Sequence, residues 1–164
     1  MTPANNIAEN SALRNKRSAA RLAATQALYQ IEITAGDAND VIAEFIDHRF
    51  GTDPETENKV VHDEVFFSDI VHGVLGHQSE IDRALAESLA TGWTLTRLDS
   101  ILRAMLRAAA FELKARADVP VKVVIDEYVE LAKAFHYGDE PSFVNAVLDR
   151  LARKERKQTH SSKL

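Results

Sequence analysis

Four residues of one predicted helix have the types and spacing that suit binding to single-stranded nucleic acid. At about 100° per residue, Arg17, Arg21 and Thr25 fall within roughly 80° of one another, and Tyr29 continues the stripe one turn later. This basic strip combines cations for phosphates with an aromatic ring for base stacking. The alternative is a solvated basic face near a chain terminus, with Tyr29 in the core and its hydroxyl at the rim.

The second candidate is the turn that joins two clearly periodic helices and carries aromatic and hydrogen-bonding side chains. A new helix begins around Ser142 and Phe143, and the backbone N–H groups at a helix N-terminus favour an anion such as phosphate. The alternative is an ordinary helix–helix turn with Phe143 packed inside. The turn consists of His136, Tyr137, Gly138, Asp139, Glu140, Pro141, Ser142 and Phe143.

No catalytic or cofactor motif is recognisable in the sequence. The 164 residues include no cysteine, which excludes disulfides, zinc–thiolate sites, iron–sulfur clusters and thiol catalysis. The segment from Gly73 to Gly76 lacks the Gly-Lys-Ser/Thr of a phosphate-binding loop. Asp69 and His72 can share a helix face, where a polar patch is favoured over a metal site. We therefore expect a binding protein with no catalytic residue, no cofactor and no metal.

Charge is distributed unevenly along the chain. The formal net charge is −5 and the pI is about 5.7, values that on average argue against a nucleic-acid binder. Much of the acidity lies between Gly36 and Glu64, whereas both ends of the chain are basic. Arg14 and Lys16 extend the basic strip toward the N-terminus. The average therefore hides local basic segments that suit a phosphate backbone.

Apolar residues recur at helical spacing throughout, which predicts an all-α fold of about seven helices. The segment from Val119 to Ile125 is rich in β-branched residues, but a three–four spacing that continues to Phe135 favours a helix. The segment from Gly51 to Asn58 is polar and contains a proline, which predicts a loop. The clearest apolar stripe consists of Leu98, Ile101, Leu102, Met105, Leu106, Ala109 and Leu113.

Membrane and targeting signals are weak or missing in the sequence. No apolar run approaches the ~20 residues of a membrane helix, and residues 1–15 lack the apolar stretch of a signal peptide. Ser162-Lys163-Leu164 spells a peroxisomal address, but a plain disordered tail is favoured over so short a match. We therefore expect a cytoplasmic protein with no membrane partner.

Five ordered blocks between Lys16 and Ala152 resemble one known protein family. Five blocks in family order are more specific than any single motif. The blocks are Lys16-Arg17 with Ala24–Tyr29 (ATQALY), Trp93–Leu98 (WTLTRL) with Leu106–Leu113 (LRAAAFEL), Asp118–Val123 (DVPVKV), Glu130–Phe135 (ELAKAF) and Phe143–Asp149 (FVNAVLD). This pattern is similar to that of the NusB family of bacterial transcription antitermination factors.

The resemblance implies an all-helical protein built as two small helical bundles packed together. It also implies binding of boxA, a short single-stranded RNA element of ribosomal RNA leaders, with NusE, a small-subunit ribosomal protein. In an RNA polymerase antitermination complex with other Nus factors, the pair would promote read-through of terminators. The residues implied for RNA binding are Lys16, Arg17, Arg21 and Tyr29 in the first patch and Asp139, Ser142 and Phe143 in the second.

The resemblance also implies a division of the chain. We expect a flexible basic N-terminal arm (1–15), a NusB-like domain (16–154) with sub-bundles of about 16–90 and 91–154, and a flexible tail (155–164). Leu102 stands where relatives often carry an acidic residue, so the NusE surface stays unassigned. The alternative function is a helical adaptor or homodimer without specific RNA binding. A fused ribosomal RNA methyltransferase is disfavoured, because the chain is short and contains no cysteine.

Overall fold

The computed structural model describes the backbone of residues 3–48, 63–135 and 139–161, and the side chains of residues 14–48, 63–135 and 139–155. Within these residues every regular element is helical, which confirms the predicted all-α fold of about seven helices. The predicted loop from Gly51 to Asn58 and the turn residues His136, Tyr137 and Gly138 lie outside them. The elements are α1 (Pro3–Thr34), α2 (Ala38–His48), α3 (Glu64–Gly76), α4 (Gln78–Ser88), a 3-10 turn (Leu95–Arg97), α5 (Ser100–Ala115), α6 (Val121–Phe135) and α7 (Glu140–Ser161).

The chain forms two compact units, Met1–His72 (unit 1) and Gly73–Leu164 (unit 2), with the boundary inside α3. In this division α4 belongs to the second unit, and the sub-bundles of about 16–90 and 91–154 that the resemblance implies stay a prediction. The segment interpreted as an arm has a helical backbone from Pro3 onward and forms the start of α1. Proline fits the first turn of a helix, and neither proline nor glycine interrupts the chain again before Gly36.

Unit 1 is built from α1, α2 and the first part of α3. Alanines at helical spacing on α1, such as Ala20, Ala24 and Ala27, are fully buried, and α1 packs against α2. The rings of Phe45 in α2 and Phe67 in α3 stack with their centroids 5.7 Å apart. Small residues on one helix and large rings on the others thus make the core of this unit.

Aspartates cap both of the later helices in unit 1. At the start of α2, Oδ1 of Asp37 accepts a hydrogen bond from the backbone N–H of Asn39 at 2.8 Å. At the start of α3, Oδ1 of Asp63 accepts one from the backbone N–H of Phe66 at 2.9 Å. Each cap satisfies a donor that the first turn of a helix leaves without a partner inside the helix.

In unit 2, helices α4, α6 and α7 all pack against α5. The predicted helix at Val119–Ile125 is confirmed, because α6 begins at Val121 and buries one continuous apolar face. At Gly73 the backbone of α3 lies against the ring of Phe111 in α5, and a Cβ there would overlap that ring. Glycine therefore permits this close approach of helix and ring. The buried face of α6 consists of Val124, Ile125, Tyr128 and Ala132.

Two polar interactions connect the helices of unit 2. The guanidinium of Arg107 in α5 donates to both carboxylate oxygens of Asp82 in α4, at 2.8 and 2.9 Å. Nζ of Lys154 in α7 donates to the backbone carbonyl of Glu87 near the end of α4 at 2.6 Å. A cation is favourable at this end of a helix, so Lys154 also complements the dipole of α4.

No helix within the described part of the chain is both long enough and apolar enough to cross a membrane.

Candidate nucleic-acid interface

Two arginines of the basic strip lie against one aromatic ring. Arg17 and Arg21, one turn apart on α1, place their guanidinium carbons 4.8 and 5.1 Å from the ring centroid of Phe66 in α3. A guanidinium over a ring face is attracted by the negative charge of that face. Phe66 therefore anchors the centre of the basic strip and holds two positive charges close together.

A carboxylate stands beside this pair. Oδ2 of Asp63 lies 3.8 Å from Nε of Arg17, while Oδ1 of the same carboxylate caps α3. The side chains of Arg17 and Asp63 are 28% and 23% exposed, but Nε of Arg17, the atom that faces Asp63, is itself buried. The strip is thus a cationic surface that has the carboxylate of Asp63 beside it.

Exposure differs along the basic strip. Lys16 and Arg17 are half-buried and Tyr29 is 39% exposed, so these three side chains reach the surface. Arg21 is only 3% exposed, which differs from the expectation of an accessible cation. Thr25 is fully buried, and its hydroxyl donates to the carbonyl of Arg21 at 2.9 Å. Helical spacing predicted which residues share a face, but not that Phe66 would cover part of it.

The second predicted patch lies at the start of α7, in unit 2. Asp139 and Phe143 line a groove of about 440 Å³, and the exposed Ser142 lies between them in sequence. The ring of Phe143 meets the indole of Trp93 with centroids 5.7 Å apart and planes at 54°. The full lining consists of Trp93, Arg97, Leu98, Asp99, Leu102, Asp139, Glu140 and Phe143.

The charges of this groove suit a nucleobase better than a phosphate. Among the described lining residues, the carboxylates of Asp99, Asp139 and Glu140 outnumber the one cation, Arg97, so a bare anion is repelled. Oε2 of Glu140 is buried and accepts no hydrogen bond from the described residues. An exocyclic amine or ring N–H of a base is the kind of donor that a carboxylate accepts from. The groove thus combines aromatic rings for stacking with acceptors for a base edge.

The turn that presents Trp93 is fixed by backbone conformation and by arginines. Gly92 has φ +91°, a conformation that favours glycine, and the N–H of Trp93 donates to the carbonyl of Ala90 at 3.0 Å. Nη1 of Arg97 donates to the carbonyl of Gly92 at 3.2 Å. Nη1 of Arg103 in α5 donates to two carbonyls of the same turn, those of Leu95 at 3.1 Å and Leu98 at 2.9 Å.

Sequence reasoning missed three residues of these surfaces. Trp93 belongs to one of the family blocks, and a tryptophan that follows a glycine in a turn is a candidate for exposure. Phe66 and Asp63 were assigned to a core stripe and to an acidic segment, and no sequence spacing connects them with Arg17. The described residues contain no group of three histidine, aspartate or glutamate side chains that could hold a metal ion.

Comparison with known proteins identifies the family. The model of the NusB family matches residues 18–153. The chain belongs to the NusB family. The transcription antitermination protein NusB of Caulobacter vibrioides is 52% identical over 140 residues, covering 85% of this chain and 94% of that protein. NusB of Bartonella tribocorum is 51% identical and covers 87% and 91% of the two chains.

Solved NusB structures share the fold. NusB of T. maritima superposes with a TM-score of 0.68 at 30% identity, covering 84% of this chain and 90% of that one. A structure of the antitermination factors NusB and NusE in complex with dsRNA contains a chain with a TM-score of 0.69 at 23% identity, covering 85% and 97%. These matches confirm the helical architecture that the NusB resemblance implied.

Proposed function

We propose that this chain is a transcription antitermination factor that binds boxA RNA together with NusE. The observation that carries the proposal is its 52% identity, over 94% of the relative's length, to a protein named for transcription antitermination. Its fold is also that of a NusB solved in complex with NusE and dsRNA. Through the family we extend both partners, and the antitermination complex with RNA polymerase and other Nus factors, to this chain.

The geometry supports different roles for the two surfaces: the basic strip binds mainly phosphates, and the groove binds a base. Lys16 and Arg17 reach the surface of the basic strip and contact phosphates, and Tyr29 offers a ring to a base. Arg21 is buried against Phe66, so it stabilises the strip by packing and does not contact RNA.

In unit 2, a splayed base stacks on Phe143 and on the exposed indole of Trp93. Asp139 lines the same groove and the exposed Ser142 directly precedes Phe143 in sequence, and each offers a hydrogen bond to a base edge or a 2′-hydroxyl.

We also propose that the protein acts by binding alone, without catalysis, and that it acts in the cytoplasm. The relatives are named for a role in transcription, and bacterial transcription takes place in the cytoplasm. Recognition of RNA and of a protein partner is sufficient for that role, so no chemical step is required of this chain.

A binding titration tests the proposed function. Fluorescein-labelled boxA RNA and a scrambled RNA of the same composition are titrated with the protein, with and without NusE, and anisotropy is measured. We expect tighter binding of boxA than of the scrambled RNA, and a larger difference when NusE is present. Equal binding of both RNAs under both conditions would contradict the proposal and favour the adaptor or homodimer instead.

Single substitutions test whether the groove takes part in the binding of boxA RNA. Phe143→Ala removes a stacking ring beside Trp93 and should reduce the preference for boxA, because base stacking contributes about 1–3 kcal/mol per base. Val123→Ala, an exposed apolar position on α6, is the matched control and should leave the preference unchanged. Equal effects of the two variants would remove the groove from the RNA site.

A further inference from the structure

We propose that Arg97 binds an RNA phosphate at the rim of the groove in unit 2 and thereby allows this acidic groove to accept a nucleotide. This inference rests on the RNA binding proposed above and adds a phosphate contact to it. Arg97 is outside the residues that the family resemblance implies for RNA binding. It is the one cation among the described residues that line the groove.

The base and the phosphate of a nucleotide meet opposite conditions at this groove. The carboxylates of Asp99, Asp139 and Glu140 suit the donors of a base edge, but they repel the phosphate that accompanies the base. A splayed base that enters the groove brings its phosphate to the entrance. Binding of a nucleotide therefore needs a cation at that entrance.

The guanidinium of Arg97 lies at this entrance. Its Nη1 donates to the backbone carbonyl of Gly92 at 3.2 Å, and Gly92 directly precedes Trp93 in the chain. The cation is therefore close to the backbone of the residue whose indole stacks on a base. Gly92 is exposed and lies outside the lining of the groove, so the guanidinium is at the rim. Arg97 is exposed as well, and a phosphate in solvent can reach it.

The charge of Arg97 is available for a ligand. Within the part of the chain that the structure describes, Arg97 forms no ion pair, and its bond to Gly92 is made to a neutral carbonyl. Two other arginines of unit 2, Arg107 and Arg116, each form an ion pair with an aspartate. The remaining N–H groups of the Arg97 guanidinium can bind phosphate oxygens through charge-assisted hydrogen bonds.

The test removes this charge and keeps a hydrogen-bond donor. Arg97→Gln retains amide N–H groups for the carbonyl of Gly92. Arg83→Gln is the matched control, because it removes the same charge from an exposed arginine of α4 that lines a different cleft of unit 2. Arg97→Lys keeps the charge and is the second variant. Each protein is titrated with labelled boxA RNA and with polyuridylate at several salt concentrations.

We expect Arg97→Gln to bind both RNAs roughly three- to tenfold more weakly than the wild type at low salt, because an exposed charge-assisted contact is lost. Its slope of log affinity against log salt should become shallower by about 0.7, the value for one phosphate contact with a single strand. The losses should be similar for the two RNAs, since a phosphate contact reads no base. Arg97→Lys should keep the wild-type slope, and Arg83→Gln should change both quantities less.

A second measurement places the phosphate contact in the groove. Adenosine and adenosine monophosphate differ by one phosphate, and quenching of Trp93, the single tryptophan of the chain, measures the binding of each. The wild type should bind the monophosphate more tightly than adenosine. Arg97→Gln should lose or reverse this preference, because the carboxylates of the groove remain. Arg83→Gln should retain it.

Three outcomes would contradict the inference or separate it from the proposed function. Equal effects of Arg97→Gln and Arg83→Gln would mean that Arg97 contributes net charge alone, which would overturn the inference. Weaker binding by Arg97→Gln with a wild-type salt slope and a shifted tryptophan emission would assign Arg97 to the turn and not to a phosphate. A wild type without preference for boxA would contradict the proposed function, while the comparison of adenosine with its monophosphate still decides the role of Arg97.

Discussion

The indole of Trp93 and the ring of Phe143 meet at 54° with their centroids 5.7 Å apart, although one precedes α5 and the other begins α7. Trp93 is also the single tryptophan of the chain and is 51% exposed. The contact places an accessible aromatic surface in the groove of unit 2. Tryptophan fluorescence therefore reports on this groove alone.

Replacing Trp93 should weaken RNA binding without changing its electrostatics. We expect Trp93→Ala to reduce boxA affinity about tenfold, because a lost base stack costs about 1–3 kcal/mol. The salt dependence should stay as in the wild type, since the indole carries no charge. Anisotropy titrations at several salt concentrations measure both quantities. A variant with wild-type affinity would exclude Trp93 from the RNA surface.

Arg103 should control the position of Trp93 by holding the turn that follows it. Its Nη1 donates to the carbonyls of Leu95 and Leu98, so Arg103→Met removes two hydrogen bonds from the turn. We expect a red-shifted tryptophan emission, stronger quenching by acrylamide and weaker boxA binding, with an unchanged salt slope. The loss of affinity should vanish in a Trp93→Ala background. Additive losses in the double variant would indicate that Arg103 acts on RNA by another route.

Arg17 should behave as a phosphate contact. Arg17→Ala is expected to weaken boxA binding and to reduce the salt slope by about 0.7, the value for one phosphate contact with single-stranded nucleic acid. Because the substitution also removes the contact of the guanidinium with Phe66, the melting temperature should fall as well. Arg153→Ala, on the exposed face of α7, is a control for loss of one positive charge. Identical slopes for the two variants would assign the effect of Arg17 to net charge.

Arg21 should behave differently, although it lies one turn from Arg17 on the same helix. Its side chain is buried against Phe66, so Arg21→Ala removes packing and a desolvated cation–π contact. We expect the free energy of unfolding to fall by about 2 kcal/mol, measured by urea denaturation. A fully stable Arg21→Ala with reduced RNA affinity would instead show that the arginine reaches the RNA.

Gly73 should be required for the packing of α3 on Phe111. Gly73→Ala places a methyl group against that ring, and overpacking of this kind costs roughly 1–3 kcal/mol of stability. Gly76 lies at the end of the same helix with open space around it, so Gly76→Ala should be neutral or slightly stabilising. The free energies of unfolding of both variants are measured by urea denaturation and compared. Equal stabilities would mean that the ring of Phe111 moves aside without cost.

The sequence predicted the helices well because their apolar spacing is a local property. The stripe that begins at Leu98 and the one that ends at Phe135 both form a helix where the spacing placed it. Spacing along one helix does not predict which side chains of distant segments come into contact. The spacing of Arg17 and Arg21 identified a shared face, but only the packing of α3 shows that Phe66 lies against it.

Only the part of the groove that comes from one turn could be predicted, because the other residues reach it by packing of distant helices. Asp139 and Phe143 came from one turn, where a helix start and an aromatic residue are visible in the sequence. Trp93 joins them only because α5 and α7 pack together within unit 2. The carboxylates that line the groove also change its chemistry, since a helix N-terminus alone suggested an anion and the assembled lining favours a base.

The bond from Lys154 to the carbonyl of Glu87 joins residues 67 positions apart. During translation, α4 therefore cannot complete this contact until the segment carrying Lys154 has left the ribosome. Unit 1 uses residues up to His72 and can begin to fold much earlier. The nascent chain thus presents its basic strip while the aromatic groove is still incomplete. During synthesis of each molecule, the basic strip therefore forms before the aromatic groove.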